Sequence, residues 1–177
     1  WQKLLCGKAV KNFQLPVSNV CFVDYDIIPN PFAPDIFSAY NPDGIGFVSQ
    51  RHNLPYGDIN QLLKLIAFYR NKFSKGKYPL DSYLFATPEQ LFSDHRLPLY
   101  KDYGCGGLFI FNVEKHSHLF EMAFEDNENH ALSISNPGEE VVLNHCIQGS
   151  GFCSWLDYSW HTLWWYEMPW NYPWLYD

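Results

Sequence analysis

Residues Gly107–Val113 (GLFIFNV) constrain the fold more than any other segment. A short, nearly continuous apolar run, bounded by turn residues, reads as a strand buried inside a sheet. Its apolar core, GGLFIF, is six residues long. That is far below the roughly 20 residues a membrane span needs, so no membrane partner is expected. No signal-peptide pattern opens the chain, whose first residue is Trp. Apolar residues make up 47% of the 177 positions and charged residues 18%, which excludes disorder over most of the length.

The period of the pattern organises the rest. Residues 1–13 place Trp1, Leu4 and Leu5 on one side of a short helix. VSNVCFVDYDII reads as a strand or two, and Ile45–Ser49 as another after the turn Asn41-Pro42-Asp43-Gly44. Ile59, Leu62, Leu63, Ile66, Tyr69 and Phe73 recur at spacings of three and four, with Asp58 as the cap, and predict the clearest helix. Thr87-Pro88-Glu89-Gln90 starts a second, ending near Asp94. Beyond Gly104 the period changes to two. Gly107–Val113, Leu119–Glu125, Ala131–Ser135 and Val141–Ile147, with turns between, read as a four-stranded antiparallel meander over 107–147. Ser150 then caps an amphipathic helix carrying Phe152, Trp155, Leu156, Trp160, Leu163 and Trp164, which Pro169 and Pro173 stop. The expectation is a single α+β domain over 1–177, its residues 155–177 forming an aromatic helix and tail.

Charge and cysteines bear on partners. Twelve Lys and Arg stand against 19 Asp and Glu, a net charge of −7. Such a chain repels phosphate backbones, which argues against nucleic acid and for a basic protein partner. Mild acidity also simply keeps a protein soluble. Cys6, Cys21, Cys105, Cys146 and Cys153 are odd in number, widely spaced and without a CxxC pair. They read as reduced thiols of a cytoplasmic protein.

Candidate sites are few. His116 and His118, two apart, would point the same way on a strand as in some metal sites, with Glu114 and Glu121 nearby, but no third ligand is fixed by spacing and a solvated hairpin turn is the preferred reading. Gly104-Cys105-Gly106-Gly107 could present a thiol nucleophile. That reading requires a concave pocket where Cys105 meets a histidine, and a depressed thiol pKa; a loop entering a strand accounts for the same glycines. Asp24 and Asp26 alternate with Val23 and Tyr25, so they mark a solvent face or an acidic contact surface. Glu139 and Glu140 are a second acidic pair. Gly149-Ser150-Gly151 lacks the spacing of a nucleophile elbow, and no phosphate-binding loop, dinucleotide fingerprint or zinc-ribbon spacing occurs, so no cofactor is expected.

Aromatics are 19% of the chain, and six of its seven tryptophans fall between Trp155 and Trp174. Packing on the sheet accounts for Trp155, Trp160 and Trp164. The prolines favour an exposed path for the remainder. That makes Trp165, Trp170, Tyr172 and Trp174 the candidates for a protein-binding hot spot or a sugar- or peptide-stacking platform.

Gly106-Gly107-Leu108-Phe109-Ile110-Phe111, a second strand through Phe120–Phe124, strands to Ile147, and then S-G-F-C-S-W-L over 150–156 together resemble the C-terminal half of the SUKH superfamily. The likeness spans roughly residues 84–166. Its closing signature, Ser-Phe-x-x-Trp/Phe-Leu, carries an inserted Gly151 here. The resemblance implies a non-catalytic α+β domain acting as an immunity protein against a cognate toxin, often a nuclease or deaminase, or as an adaptor. It transfers no binding residues. Two further readings follow from the residues: a small hydrolase using Cys105 or a histidine–carboxylate set, and a carbohydrate- or peptide-binding module using the C-terminal aromatics.

Overall fold

The computed structural model describes residues 1–52, 54–56, 59–74, 87–100, 102–127, 138–172 and 174. After a 3-10 turn at Gln2–Leu5 come α1 (Cys6–Asn12), β1 (Asn19–Val23), α2 (Ile36–Ala39), β2 (Ile45–Ser49), α3 (Ile59–Ser74) and α4 (Pro88–Asp94). The second half holds β3 (Gly104–Asn112), α5 (Val113–Asn127), α6 (Gly138–Gly149), β4 (Cys153–Leu156), a 3-10 turn at Tyr158–Trp160, and α7 (Trp164–Asn171). The architecture is mixed helix and strand around one sheet of order β1-β3-β2-β4. β3 runs antiparallel to both neighbours, and β2 pairs parallel with β4.

The apolar run is apolar because β3 is covered on both faces. Phe109 and Phe111 pack with Phe120, Leu143 and Ile147 of α5 and α6, joined by Leu4 from the N-terminal turn. Leu108 turns the other way, onto Tyr158, Tyr166 and the α3 residues Leu62 and Ile66. Alternation of side chains across a strand produces this split. A third cluster, Leu91, Phe92, Tyr103 and Val141, seats α4 against α6.

The strand at Ile45–Ser49 is as expected, and so is α4. The Thr87 side chain caps α4, accepting from the Gln90 N–H at 3.2 Å. α3 covers the predicted stripe; its expected cap, Asp58, lies outside the described residues.

The meander is not formed. Leu119–Glu125 belongs to α5 and Val141–Ile147 to α6; the expected strand at 131–135 lies outside the described residues. The alternation of Phe120, Met122 and Phe124 is a short-window coincidence. Over the whole of α5 the buried positions are Val113, His116, Ser117 and Phe120, a helical spacing that leaves Met122 exposed. Asn112 caps this helix, its Oδ1 accepting from the Lys115 N–H at 3.1 Å. In α6 the β-branched pair Val141-Val142 suits a strand by propensity, but tertiary contacts override it. The buried Asn144 carboxamide clamps the start of β3: Oδ1 accepts from the Gly104 N–H at 2.7 Å, and Nδ2 donates to the Gly104 carbonyl at 2.9 Å.

The C-terminal helix is also corrected. Ser150 ends α6 rather than opening a helix, donating to the Ile147 carbonyl and accepting from the Phe152 N–H. Gly151 takes φ +76°, a left-handed conformation that glycine adopts freely and that stops a helix. The chain therefore leaves α6 as β4. There Trp155 stacks on Phe47 with centroids 5.7 Å apart. Pro169 falls inside α7 rather than ahead of it.

One irregularity of the sheet positions the site. Phe47 of β2 pairs with Phe109, but Ser49 pairs with Gly104, so residues 105–108 of β3 stand opposite Val48 alone. A bulge of this kind breaks the alternation and re-aims side chains. A Cβ on Gly106 would meet Glu140 and Leu143 of α6, whereas one on Gly107 would meet His161 and Asp24.

Candidate functional site

The bulge opens onto a groove of about 1550 Å³. Its floor is Cys105 and Gly107 of β3, flanked by Asp24 at the end of β1 and by Glu140 from the first turn of α6. Residues 26–30 and 33–35 of the loop after β1, and the segment from Ser159 to Trp164 with Tyr172, also line it.

Cys105 Sγ lies 3.9 Å from His161 Nε2, a hydrogen-bonding contact for sulfur. The two residues are 56 positions apart, and no spacing in the sequence links them. The glycine at 107 is required by this contact, since a Cβ there would sit 2.9 Å from His161 Cε1. The Asp24 N–H donates to the Gly107 carbonyl at 2.9 Å, extending the β1 pairing and holding that carboxylate beside the imidazole.

Lys3 reaches the same place from the N-terminal turn. Its ammonium donates to the Gly106 carbonyl at 3.0 Å and pairs with Asp24 Oδ2 at 3.3 Å and Glu139 Oε1 at 3.8 Å. Glu140 Oε1 accepts from the Gly106 N–H at 2.9 Å and from Gln50 Nε2 at 3.1 Å. The glycines of the bulge thus expose backbone groups that charged side chains bind.

Burial controls the titrations here. It pushes the Cys105 thiol up to about 12, and the Glu140 carboxylate adds to the effect. Burial also raises Glu140 itself, against the pull of the Gly106 N–H and Lys3. His161 is lowered, again by burial first, with Asp24 and Asp26 opposing. At neutral pH the pair is therefore a thiol on a neutral imidazole, not a thiolate–imidazolium pair. The pocket and the histidine required for a cysteine nucleophile are present; the depressed thiol pKa is not. Nδ1 of His161 is buried without a hydrogen-bond partner, so nothing among the described residues orients the ring as a carboxylate orients a catalytic base.

The other candidates fall in several places. Asp24 and Asp26 both line the groove; Asp24 is partly buried and ion-paired, Asp26 exposed. His116 and His118 stand in α5 rather than in a hairpin, one buried and one exposed, because two positions on a helix point to different sides. The His116 Nδ1 accepts from the Asn112 N–H at 3.2 Å and its ring packs on Phe152. Among the described residues no group of three His, Cys, Asp or Glu is placed to hold a metal, and no helix is long and apolar enough to cross a membrane. Tyr172 lines the groove and meets Trp174 edge-on at 5.6 Å, both exposed. Trp165 and Trp170 fall within α7, and their side chains lie outside the described residues.

Sequence reasoning missed His161, and it read residues 24–28, which open the loop after β1, as strand. That loop exposes Tyr25 by 100%, Ile28 by 93% and Phe32 by 92%, beside the groove. Its signal was the conjunction of large apolar residues with Asn30-Pro31 and Pro34, which neither a strand nor a helix accommodates. No protein-family model, curated protein or solved structure matches the chain.

Proposed function

We propose that this chain is a non-enzymatic binding protein, most concretely an immunity protein that neutralises a cognate toxin of nuclease or deaminase type by covering it. One observation carries the binding reading. Tyr25, Ile28 and Phe32 are more than nine-tenths exposed on one loop, and exposed Trp164 and Tyr172 line the groove together with Ile28, with exposed Trp174 edge-on to Tyr172. Large apolar side chains gathered in this way, rimmed by charge, mark a protein interface, where aromatic anchors supply most of the binding energy. The net charge of −7 favours a basic partner and fast, salt-sensitive association. The toxin as partner comes from the SUKH resemblance alone, of whose elements the glycine-led strand is β3, while Phe120–Phe124 and Val141–Ile147 are helical and Cys153–Leu156 is a strand. Affinity purification of the tagged protein from its own host, at moderate salt, tests this reading. One stoichiometric basic protein is expected, and a clean preparation with no partner overturns it.

A second reading, a small thiol hydrolase, draws support from the Cys105–His161 contact at the floor of a groove. It requires that a ligand depress the thiol by displacing Glu140 or by placing a positive charge beside it. Turnover of an activated ester lost in both Cys105→Ala and His161→Ala would favour it. Equal rates in all three proteins would remove it.

A further inference from the structure

The groove has a chemistry of its own. Asp24, Asp26, Asp35, Glu140 and Glu167 line it, and Arg51 is the cation in its lining. Lys3 offsets part of this charge, at the Asp24 and Glu139 end. Asp26 makes no hydrogen bond or ion pair among the described residues, and its carboxylate is exposed. Trp160, Trp164 and Tyr172 line the same groove, Trp164 exposed by 66%. His161 is buried in the lining, its Nδ1 without a hydrogen-bond partner among the described residues.

Carboxylates and indole and phenol rings lining one cleft suit a cation with an apolar stem. The carboxylates take its donors and the ring faces take its charge. Size selects among such cations. At about 1550 Å³ the groove exceeds the roughly 300–1,000 Å³ of small-molecule sites. The exposed loop beside it adds apolar surface that a free metabolite has no means of covering.

We infer that the groove receives an arginine-bearing loop of the protein partner, its guanidinium seated between the Asp24–Asp26 edge and Trp164. This rests on the binding reading above and names the surface and chemistry through which it acts. Arginine suits the site better than lysine, because its planar fork bonds carboxylates in pairs while stacking on an aromatic face.

The test is calorimetric titration of a blocked Gly-Arg-Gly-Arg-Gly peptide into the full chain at low salt, beside the same peptide with citrulline for arginine. Saturation below about 1 mM is expected. Citrulline, Asp26→Asn and Trp164→Ala should each weaken it tenfold or more, and Met122→Ala, on exposed α5 surface, should leave it unchanged. Asp26, Trp164 and Met122 are all exposed, so the variants fold; circular dichroism confirms that. No saturation, equal affinity for the citrulline peptide, or equal affinity of the Asp26 and Trp164 variants overturns the assignment. The host purification repeated with the Asp26→Asn/Trp164→Ala double variant separates the two claims. A partner retained in full by the double variant removes the groove and leaves the binding function standing. A wild-type protein without a partner removes the function, while the peptide titration still decides the groove.

Discussion

The two halves of β3 are made of one strand and behave as two materials. From Phe109 to Phe111 the strand is regular, and every side chain is fully buried against partners on both faces. From Gly104 to Leu108 it is bulged, three of its five residues are glycine, and backbone groups along it are bound by Lys3, Glu140 and Asn144, with Gln50 bonded to Glu140. The regular half is held by dispersion and burial, which tolerate no polar group. The bulged half is held by hydrogen bonds and charge, which leave room for a thiol, an imidazole and a groove. One length of backbone can serve both ends because the bulge turns Cys105 and Gly107 away from the helices. The cysteines repeat the contrast. Cys146 and Cys105 are both pushed up to about 12 by burial, but Cys146 donates to the Leu119 carbonyl between α5 and α6, while Cys105 faces His161 in the groove.

Breaking each half in turn sharpens the comparison. Phe111→Ala empties a site packed by Phe109, Phe120 and Leu4 and is expected to cost about 3–5 kcal/mol in chemical denaturation, the largest effect of any single change here. A loss under 1 kcal/mol would mean that the regular half is not the stabilising one. Gly107→Val pushes a side chain into His161 and is expected to cost about 1–3 kcal/mol. It should also shift the His161 imidazole resonances, which Phe111→Ala should leave in place; unmoved resonances would contradict the contact.

Acid acts through the histidines. Burial lowers His116, His145 and His161 below their ordinary 6.5, so each stabilises the fold fully above that value and loses its contribution as pH falls through the lowered pKa. The melting temperature should therefore fall below about pH 6.5, and less so in His161→Gln. A melting temperature flat from pH 7.5 to 5 would refute this.

Glu140 has the opposite sign. Its raised pKa means its contribution is full below the ordinary carboxylate value and lost as pH rises. Glu140→Gln, whose amide oxygen can still accept from Gly106, should be slightly more stable than the parent at pH 7 and no different near pH 4. It should also speed alkylation of Cys105 by iodoacetamide, since the carboxylate helps to hold that thiol up. Alkylation of the parent should accelerate roughly tenfold per pH unit through neutral pH. A rate saturating below pH 8 would restore the nucleophile reading.

Where local chemistry sufficed, the residues alone announced the structure. Gly107–Val113 declared a buried strand because a short run apolar on both faces and bounded by turn residues suits an inner strand, and Thr87-Pro88 declared a helix start because the hydroxyl caps the first turn and the imide needs no N–H there. The period failed over 119–125 and 141–147, since a few residues of α5 or α6 show too little of a 3.6-residue repeat to separate it from a two-residue one. Of the groove, Asp24, Asp26, Cys105 and Tyr172 were legible as candidates from residue type, and His161 was not. What brings His161 near Cys105 is long-range pairing, β4 with β2 on one side and β2 with the bulged β3 on the other, which no local window contains. Residue type therefore determined which groups could do chemistry, and the register of a single sheet decided which of them meet.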